Sequence, residues 1–318
     1  MKPPYQVTSS ILNLITSISE KIGEIRSARL IRPPVELRKR NRIKTIQSSL
    51  EIEGNTLTVG QITALAENKR VLAPQKHITE VKNALRVYEM LNEFDVYKLK
   101  SLCEAHRVLM EGLIVNPGKL RTTSVGIAKG EGITHIAPSG DMVYALLKNL
   151  FRYLKNDRDI LLIKSCVFHY ELEFIHPFVD GNGRMGRLWQ TMILKEYSPV
   201  FEFLPVETVI KQRQKDYYRA LGISDKLGSS TPFIEFMLEV VNDSLEDLLR
   251  TQNVTARKTD RIDAFREIIG DEYFTRAQYL RHNKEISTAT ASRDLKEAVD
   301  KKKLVKTGDK RLTKYRFR

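Results

Sequence analysis

The sequence predicts a mostly helical protein of 318 residues, with one small β-hairpin inside its helical body and a C-terminal module of helices and strands. Three observations carry this. Residues recur at helical spacing in Ile43, Ile46 and Leu50, in Leu102, His106 and Leu109, and in Leu146, Leu150 and Tyr153. RTTSVGIAKGEGITHIAPS, at 121–139, instead places alternating and β-branched residues on both sides of KGEG and reads as a hairpin. Beyond residue 254 the charge changes: 18 Lys and Arg face 10 Asp and Glu, so +8 of the net +14 falls in the last fifth of the chain.

With 42% hydrophobic and 29% charged residues, the chain can bury one sizeable core plus one or two smaller modules. Cys103 and Cys166 have no zinc-like spacing, so neither a disulfide framework nor a metal cluster is indicated and a reducing compartment is expected. Ser, Thr and Asn break the apolar positions of the opening MKPPYQVTSSILNLITSISEKIGEIRS, unlike a signal peptide. No later run approaches the roughly 20 apolar residues of a membrane helix. The expectation is a cytoplasmic protein with no membrane contact. The basic balance makes nucleic acid a candidate partner of the C-terminal module.

Taken in order, 1–95 reads as a helical region. In TIQSSLEIEGN the stripe Ile43, Ile46, Leu50 continues to Glu53, just before Gly54, a natural helix terminator. A carboxylate is unfavourable both on an apolar stripe and at a helix C-terminus. Alone, Glu53 reads as a glutamate reaching to water at a frayed end. Residues 96–248 form the helical core, with loops at NPGKLR and APSG beside the hairpin. A charged, weakly apolar stretch at 249–259, LRTQNVTARKT, is the expected linker. From 260 to 318, three helical patterns precede a hairpin pattern, the order of a winged helix-turn-helix. Ser287 or Thr288 caps its third helix, Ala291, Leu295 and Ala298 face inward, and Thr288, Thr290 and Arg293 face outward.

The densest chemistry lies in IHPFVDGNGRMGR, 175–187. DGNG cannot comfortably continue a helix, and Gly181 and Gly183 let the backbone take positive φ, so successive N–H groups converge on an anion. Leu188, Trp189, Met192 and Ile193 resume helical spacing, which starts a helix near Arg184 and puts Arg184 and Arg187 at its positive end. That suits a polyphosphate. Asp180 beside it needs an intervening cation, and Mg²⁺ favours one or two carboxylates plus phosphate oxygens. His176 can take a proton near neutral pH. The implied chemistry is attack of a hydroxyl on a nucleotide phosphate, although a bare GNG alone reads as a glycine-rich helix–helix turn. His169, on the same stripe as His176, reads as a core histidine, and His106 and His135 lack metal-ligand spacing.

The whole string resembles the pattern HxFxDGNGRxxR of the Fic (Fido) family. LCEAHRVLMEGL with NPGKLRTTSV, and KDYYRALGISD with PFIEFM, resemble that family's earlier helix and flap and its later helices, roughly 99–237 in all. The resemblance implies a Fic-type helical bundle with a hairpin flap, and an enzyme moving AMP from ATP to a protein Ser, Thr or Tyr hydroxyl with release of pyrophosphate. It makes His176 the base and Asp180 the Mg²⁺ ligand. Gly181, Asn182 and Gly183 become the phosphate cradle, Arg184 holds the β-phosphate and Arg187 the γ-phosphate, with Met185 and Gly186 in the same ATP-binding segment. Val125, Gly126, Ile127 and Ala128 become the flap edge that grips the target by strand addition. Tyr217 and Tyr218 fall at the adenine pocket, with helix packing the alternative for whichever faces away. Ser49, Glu53 and Gly54 fit the inhibitory pattern [S/T]xxxE[G/N], in which Glu53 pairs with Arg187. A homodimer is a further implied assembly. The C-terminal segment looks like the winged-helix domains appended to such proteins, which bind DNA or dock proteins. Two alternatives stand: removal of AMP or transfer of another phosphate-containing group by the same site, and a DNA-binding regulator whose core senses nucleotide.

Overall fold

The computed structural model describes residues 2–27, 35–124, 126–129, 132–270, 272–283, 286–309 and 313–318. A first unit, Met1–Glu246, runs through α1 (Ser9–Ser27), α2 (Val35–Ile52), α3 (Val59–Ala66), α4 (Gln75–Glu89) and α5 (Leu99–Leu109) to the hairpin β1 (Gly126–Lys129) and β2 (Gly132–Ile136). It continues through α6 (Val143–Asn156), α7 (Leu161–Ile175), α8 (Asn182–Tyr197), α9 (Val206–Gln212), α10 (Gln214–Leu227) and the first part of α11 (Thr231–Ile269). A second unit, Asp247–Arg318, holds the rest of α11, then α12 (Arg276–His282), α13 (Thr288–Asp300), β3 (Leu304–Thr307) and β4 (Lys314–Phe317). No helix among the described residues is long and apolar enough to cross a membrane.

α7 and α8 form the centre of the first unit. Every residue from 162 to 170 is buried, as expected of a helix that is apolar on all faces. Lys164 is tolerated there because its Nζ donates to Leu154 O at the end of α6, 3.0 Å away. The two central helices approach closely at Gly186, where an added Cβ would lie 2.6 Å from His169 Cδ2. Phe151 of α6 packs edge-on against Phe168 and Trp189, and Trp189 Nε1 donates to Val96 O at 3.1 Å.

The stripe Ile43, Ile46, Leu50 of α2 is buried as expected. Asn41 Nδ2 donates to Phe203 O at 2.9 Å, and the Ser48 and Thr208 hydroxyls meet at 3.1 Å. α1 lies along α11, where Thr8 Oγ1 donates to Glu235 at 2.6 Å and Ser17 Oγ to Asn242 at 2.9 Å. The region 1–95 is therefore not a body apart from 96–248. Its helices bury their apolar faces on the core and fold as one unit with it.

β1 and β2 are antiparallel, Gly126 opposite Ile136 and Lys129 opposite Gly132, with an irregularity between Ile127 and Ala128. Val125, Gly130 and Glu131 lie outside the described residues, as does Lys310 of the expected TGDK turn. The expected linker at 249–259 differs from the structure, where α11 continues through it. The stretch contains no Gly or Pro, so its low apolar content removes a burial signal without removing helix propensity.

The second unit has the helix, helix, helix, hairpin order of the sequence reading, with the end of α11 first. Phe265, Phe274, Tyr279, Leu295 and Phe317 are buried in its core, with Ala291 and Ala298 inward on α13. Thr275 and Gln278 form a capping box on α12, and Ser287 caps α13 by accepting the Thr290 N–H at 3.1 Å. Asp294 is buried against Arg261, 2.7 Å from Nη2.

The α7–α8 approach leaves no room for a methyl group. Gly186→Ala is expected to destabilise the first unit by about 1–3 kcal/mol through overpacking against His169, read as a lower urea midpoint at unchanged m-value.

Candidate active site

Where α7 stops, its last carbonyls lack helical partners, and the chain reverses through 176–181 into α8. His176 caps α7 with φ 49 and ψ 60, its N–H donating to Leu172 O at 2.9 Å. A non-glycine residue in this region is costly, and the following Pro177 disfavours helical dihedrals further, so the surroundings must hold it there. Arg121 does so by donating Nε to His176 O at 2.6 Å and its backbone N–H to Pro177 O at 2.9 Å. The imidazole remains partly exposed, with Nδ1 3.4 Å from Glu173 O.

The second half of the turn is fixed by side chains. Asn182 Oδ1 accepts the Phe178 N–H and its Nδ2 donates to Phe178 O, each at 2.9 Å. This clasp starts α8 at Asn182, two residues before the expected Arg184, with Gly181 as N-cap at φ 85. Only glycine fits at 181 on two counts, since a Cβ would also lie 2.7 Å from Met110 Sδ. Asp180 Oδ1 accepts the Gly181 N–H at 2.6 Å, and the carboxylate is more than half exposed.

Sequence reasoning missed the role of His106. Gly118 N–H donates to its Nδ1 at 2.8 Å, so the ring proton sits on Nε2 and donates to Asp180 O at 2.9 Å. The ring stacks on Phe178 at 3.7 Å, and burial pushes its pKa down to about 4, so it holds the loop as a neutral imidazole. Its place on a buried stripe was visible, but its carbonyl partner 74 residues away was not.

The arginines differ sharply. Arg187 is buried and firmly held: Nε donates to Ser49 Oγ at 3.0 Å, and Nη2 donates to Ser49 O at 3.0 Å and Glu53 Oε1 at 2.7 Å. Burial opposes its charge, but the Glu53 carboxylate overcomes that and raises its pKa above the ordinary value. Arg184 is held loosely, 3.5 Å from both Glu80 Oε1 and Asp180 Oδ2, and its buried Nε has no hydrogen-bond acceptor among the described residues. A donor left so is costly unless a ligand supplies the acceptor.

Glu53 follows the last residue of α2, and Gly54 at φ 90 turns the chain away. The end of α2 is tied down by Lys211 on Glu51 at 2.8 Å and by Gln214 Nε2 donating to Ile52 O at 3.2 Å. Gly183 has a steric role, since a Cβ there would lie 2.4 Å from Glu53 Oε1. The carboxylate therefore lies against the first turn of α8, where helix N-termini bind anions. Among the described residues, no group of three or more His, Cys, Asp or Glu is placed to cage a metal.

Other expected site residues lie elsewhere. Met185 is fully buried in the core, and Gly186 faces His169, so both pack α8 and neither side lines the loop. Tyr217 is also buried, its hydroxyl donating to His169 Nε2 at 3.1 Å, while His169 Nδ1 meets Gln190 Oε1 at 2.6 Å. Of the two tyrosines, Tyr217 is the core residue. Tyr218 is half-buried, its hydroxyl accepting from Gln214 Nε2 at 3.4 Å. Gly126, Ile127 and Ala128 lie in β1, whose only paired neighbour among the described residues is β2.

Residues 96–194 match the family model described as Fic/DOC family. The chain is 33% identical over 208 residues to a protein named protein adenylyltransferase fic-1 from Caenorhabditis elegans, covering 60% of this chain and 38% of that protein. It is 28% identical over 245 residues to protein adenylyltransferase Fic of Drosophila melanogaster, covering 73% and 45%. The chain thus spans less than half the length of these curated relatives. A crystal structure of a Fic family protein from Desulfovibrio desulfuricans G20 is 40% identical, with TM-score 0.77, and covers 100% of this chain and 98% of that one. A structure of C. elegans Fic-1 shares the fold at 22% identity, TM-score 0.62, over 77% of this chain.

The neutral His106 has a consequence for stability. Its pKa is lower folded than unfolded, so its contribution is complete above the unfolded value of about 6.5 and declines as pH falls towards about 4. In urea titrations, the stability gap between wild type and His106→Asn is expected to narrow by about 1–2 kcal/mol from pH 7 to pH 5.

Proposed function

This chain belongs to the Fic family, and from that premise we propose that it transfers AMP from ATP to a protein hydroxyl under the control of its own Glu53. The observation that carries this reading is the Glu53–Arg187 pair against the first turn of α8, an internal carboxylate lying where a polyphosphate would lie.

In the proposed reaction, the target's hydroxyl oxygen bonds to the α-phosphorus and the bond from that phosphorus to the bridging oxygen breaks. Pyrophosphate leaves with that electron pair. His176 takes the hydroxyl proton, as a partly exposed imidazole at the mouth of the loop can. The N–H groups of the first turn of α8 lie beside the phosphates, and Arg184, with its open Nε, and Arg187 take up the charge that develops on the leaving group. Asp180 fits a Mg²⁺ ion of the kind expected here: one exposed carboxylate with phosphate oxygens completing the shell, not an all-protein cage. Such an ion would neutralise phosphate charge. β1, with one edge unpaired by the described strands, is the proposed docking edge for the target.

Inhibition follows from the same contacts. Removing one member of a buried ion pair costs on the order of 3–5 kcal/mol, because the other is left uncompensated. A γ-phosphate reaching Arg187 must therefore displace Glu53, and it supplies the replacement charge itself. The latch then depends on how firmly α2 is docked, through Lys211, Gln214 and Thr208.

A second reading concerns the basic module. α13 exposes Thr288, Ala289, Arg293 and Lys296 while Ala291, Leu295 and Ala298 are buried, and Lys306, Lys314 and Arg316 on its hairpin are exposed. That cationic helix face and hairpin support duplex DNA as a partner, with α13 in the major groove. Titrating labelled duplex at several salt concentrations, Arg293→Ala is expected to weaken binding with about 1–3 kcal/mol lost; equal affinity would favour protein docking.

With ATP labelled separately at the α- and γ-phosphates and intact-mass detection, Glu53→Gly is expected to raise AMP incorporation by about tenfold or more, equivalent to ~1.4 kcal/mol of latch. Adding His176→Ala is expected to remove about 10²–10⁴-fold of that rate. Equal labelling by wild type and Glu53→Gly would defeat the latch, and label at the γ-phosphate alone would defeat AMP transfer.

A further inference from the structure

We infer that Arg121 is a positioning residue for the acceptor strand, setting the separation between the flap and His176 through one planar guanidinium. This rests on the AMP-transfer reading above. The side chain is 3% exposed and donates to four carbonyls in three stretches of chain. Nη1 reaches Thr123 O at 2.6 Å, just before β1. Nη2 reaches Pro138 O at 2.7 Å, just after β2, and Ile175 O at 2.9 Å. Nε reaches His176 O at 2.6 Å.

The placement is electrostatically sound. Ile175 and His176 present the unpaired carbonyls of the C-terminus of α7, the negative end of its dipole, so a buried cation is stabilised there without a carboxylate. Each of the three nitrogens has at least one carbonyl, and the fork is rigid. Both stems of the hairpin are thereby tied to the residue that carries the base.

The stems also touch directly. A Cβ on Gly140 would lie 2.1 Å from Thr122 C and 2.6 Å from Thr123 N, so glycine lets the returning stem close onto the outgoing one. Arg121 and Gly140 together close the root of the flap against the root of the catalytic loop. A strand added to β1 is then registered, through this root, against His176. Lysine offers a flexible point charge in place of the fork and cannot reproduce four divergent bonds.

The test uses the full chain carrying Glu53→Gly, with Arg121→Lys or Gly140→Ala added, and three readouts: affinity for ATP with Mg²⁺, AMP transferred to the protein's own hydroxyls, and ATP cleaved by water to AMP and pyrophosphate. Because Arg121 also braces the His176 loop, water cleavage is expected to fall with it, while misplacement of the acceptor makes transfer fall about tenfold or more further, up to about 10²-fold, at unchanged ATP affinity. Gly140→Ala keeps the guanidinium and is expected to show the same split, which guards against misfolding of Arg121→Lys. Transfer and cleavage falling by the same factor in both variants, or loss of ATP affinity, would leave Arg121 only its bracing of the loop and overturn the inference. Transfer at the parent rate in both variants would also overturn it. An inert Glu53→Gly parent would refute the AMP-transfer reading itself, and with it this inference.

Discussion

Arg187 carries a permanent charge to a position where 1% of its side chain meets solvent. Removing a cation from water costs several kcal/mol unless charge and hydrogen bonds replace the solvent. Ser49 and Glu53 supply both, and much of the surrounding architecture follows from bringing them there. α2 must lie across the start of α8 and end at Ile52, so that Glu53 falls beyond the regular helix and its carboxylate can turn inward. Gly54 must redirect the chain at positive φ. Gly183 must lack a Cβ, or the carboxylate would be expelled by a 2.4 Å contact. An electrostatic demand made by one side chain thus fixes a helix end, a turn and a glycine.

The loop between α7 and α8 meets a different demand, because it must hold a non-glycine residue in the left-handed region directly before a proline. Its rigidity is imported. Asn182 clasps Phe178 from within, His106 holds the Asp180 carbonyl from α5, and Arg121 holds the His176 and Ile175 carbonyls from the flap root. Because His106 accepts from Gly118, its tautomer is set and its grip on Asp180 does not change with solvent proton activity near neutrality. If His176 acts as the base proposed above, such a loop keeps it in place while the proposed nucleotide and target come and go.

These two demands explain what could be read from the sequence. The helical stripes of α2, α5 and α6 were legible because burial on one face leaves a periodic trace, and 175–187 was legible because its residue types are jointly unusual. Periodicity could not say which of Tyr217 and Tyr218 turns inward, since adjacent aromatics differ by about 100° around a helix and the deciding partner, His169, lies on another helix. Met185 shares its motif with the loop residues, although its side of α8 faces the core. Glycine propensity alone puts the start of α8 two residues late, because the Asn182 clasp that begins it leaves no trace in propensity. Arg121 left no signal in residue spacing, because all its partners among the described residues are carbonyls, which every residue possesses.

The site is also sorted by sign. α7 delivers carbonyls to the loop and the structure answers with a buried cation, Arg121; α8 delivers N–H groups and the structure answers with a carboxylate, Glu53. Each internal side chain marks what its helix end binds, and the two differ in permanence. Arg121 is tied to both stems of the flap by carbonyls that no soluble anion can replace. Glu53 stands at the end of a helix, 36% exposed, on a cation whose need any comparable anion can meet. The exchange proposed at the α8 end would therefore swap one anion for another at modest net cost, while the α7 end stays fixed. On the proposed reading, a latch built on the exchangeable end opens without disturbing the proposed base, which is the arrangement a reversible inhibitor requires.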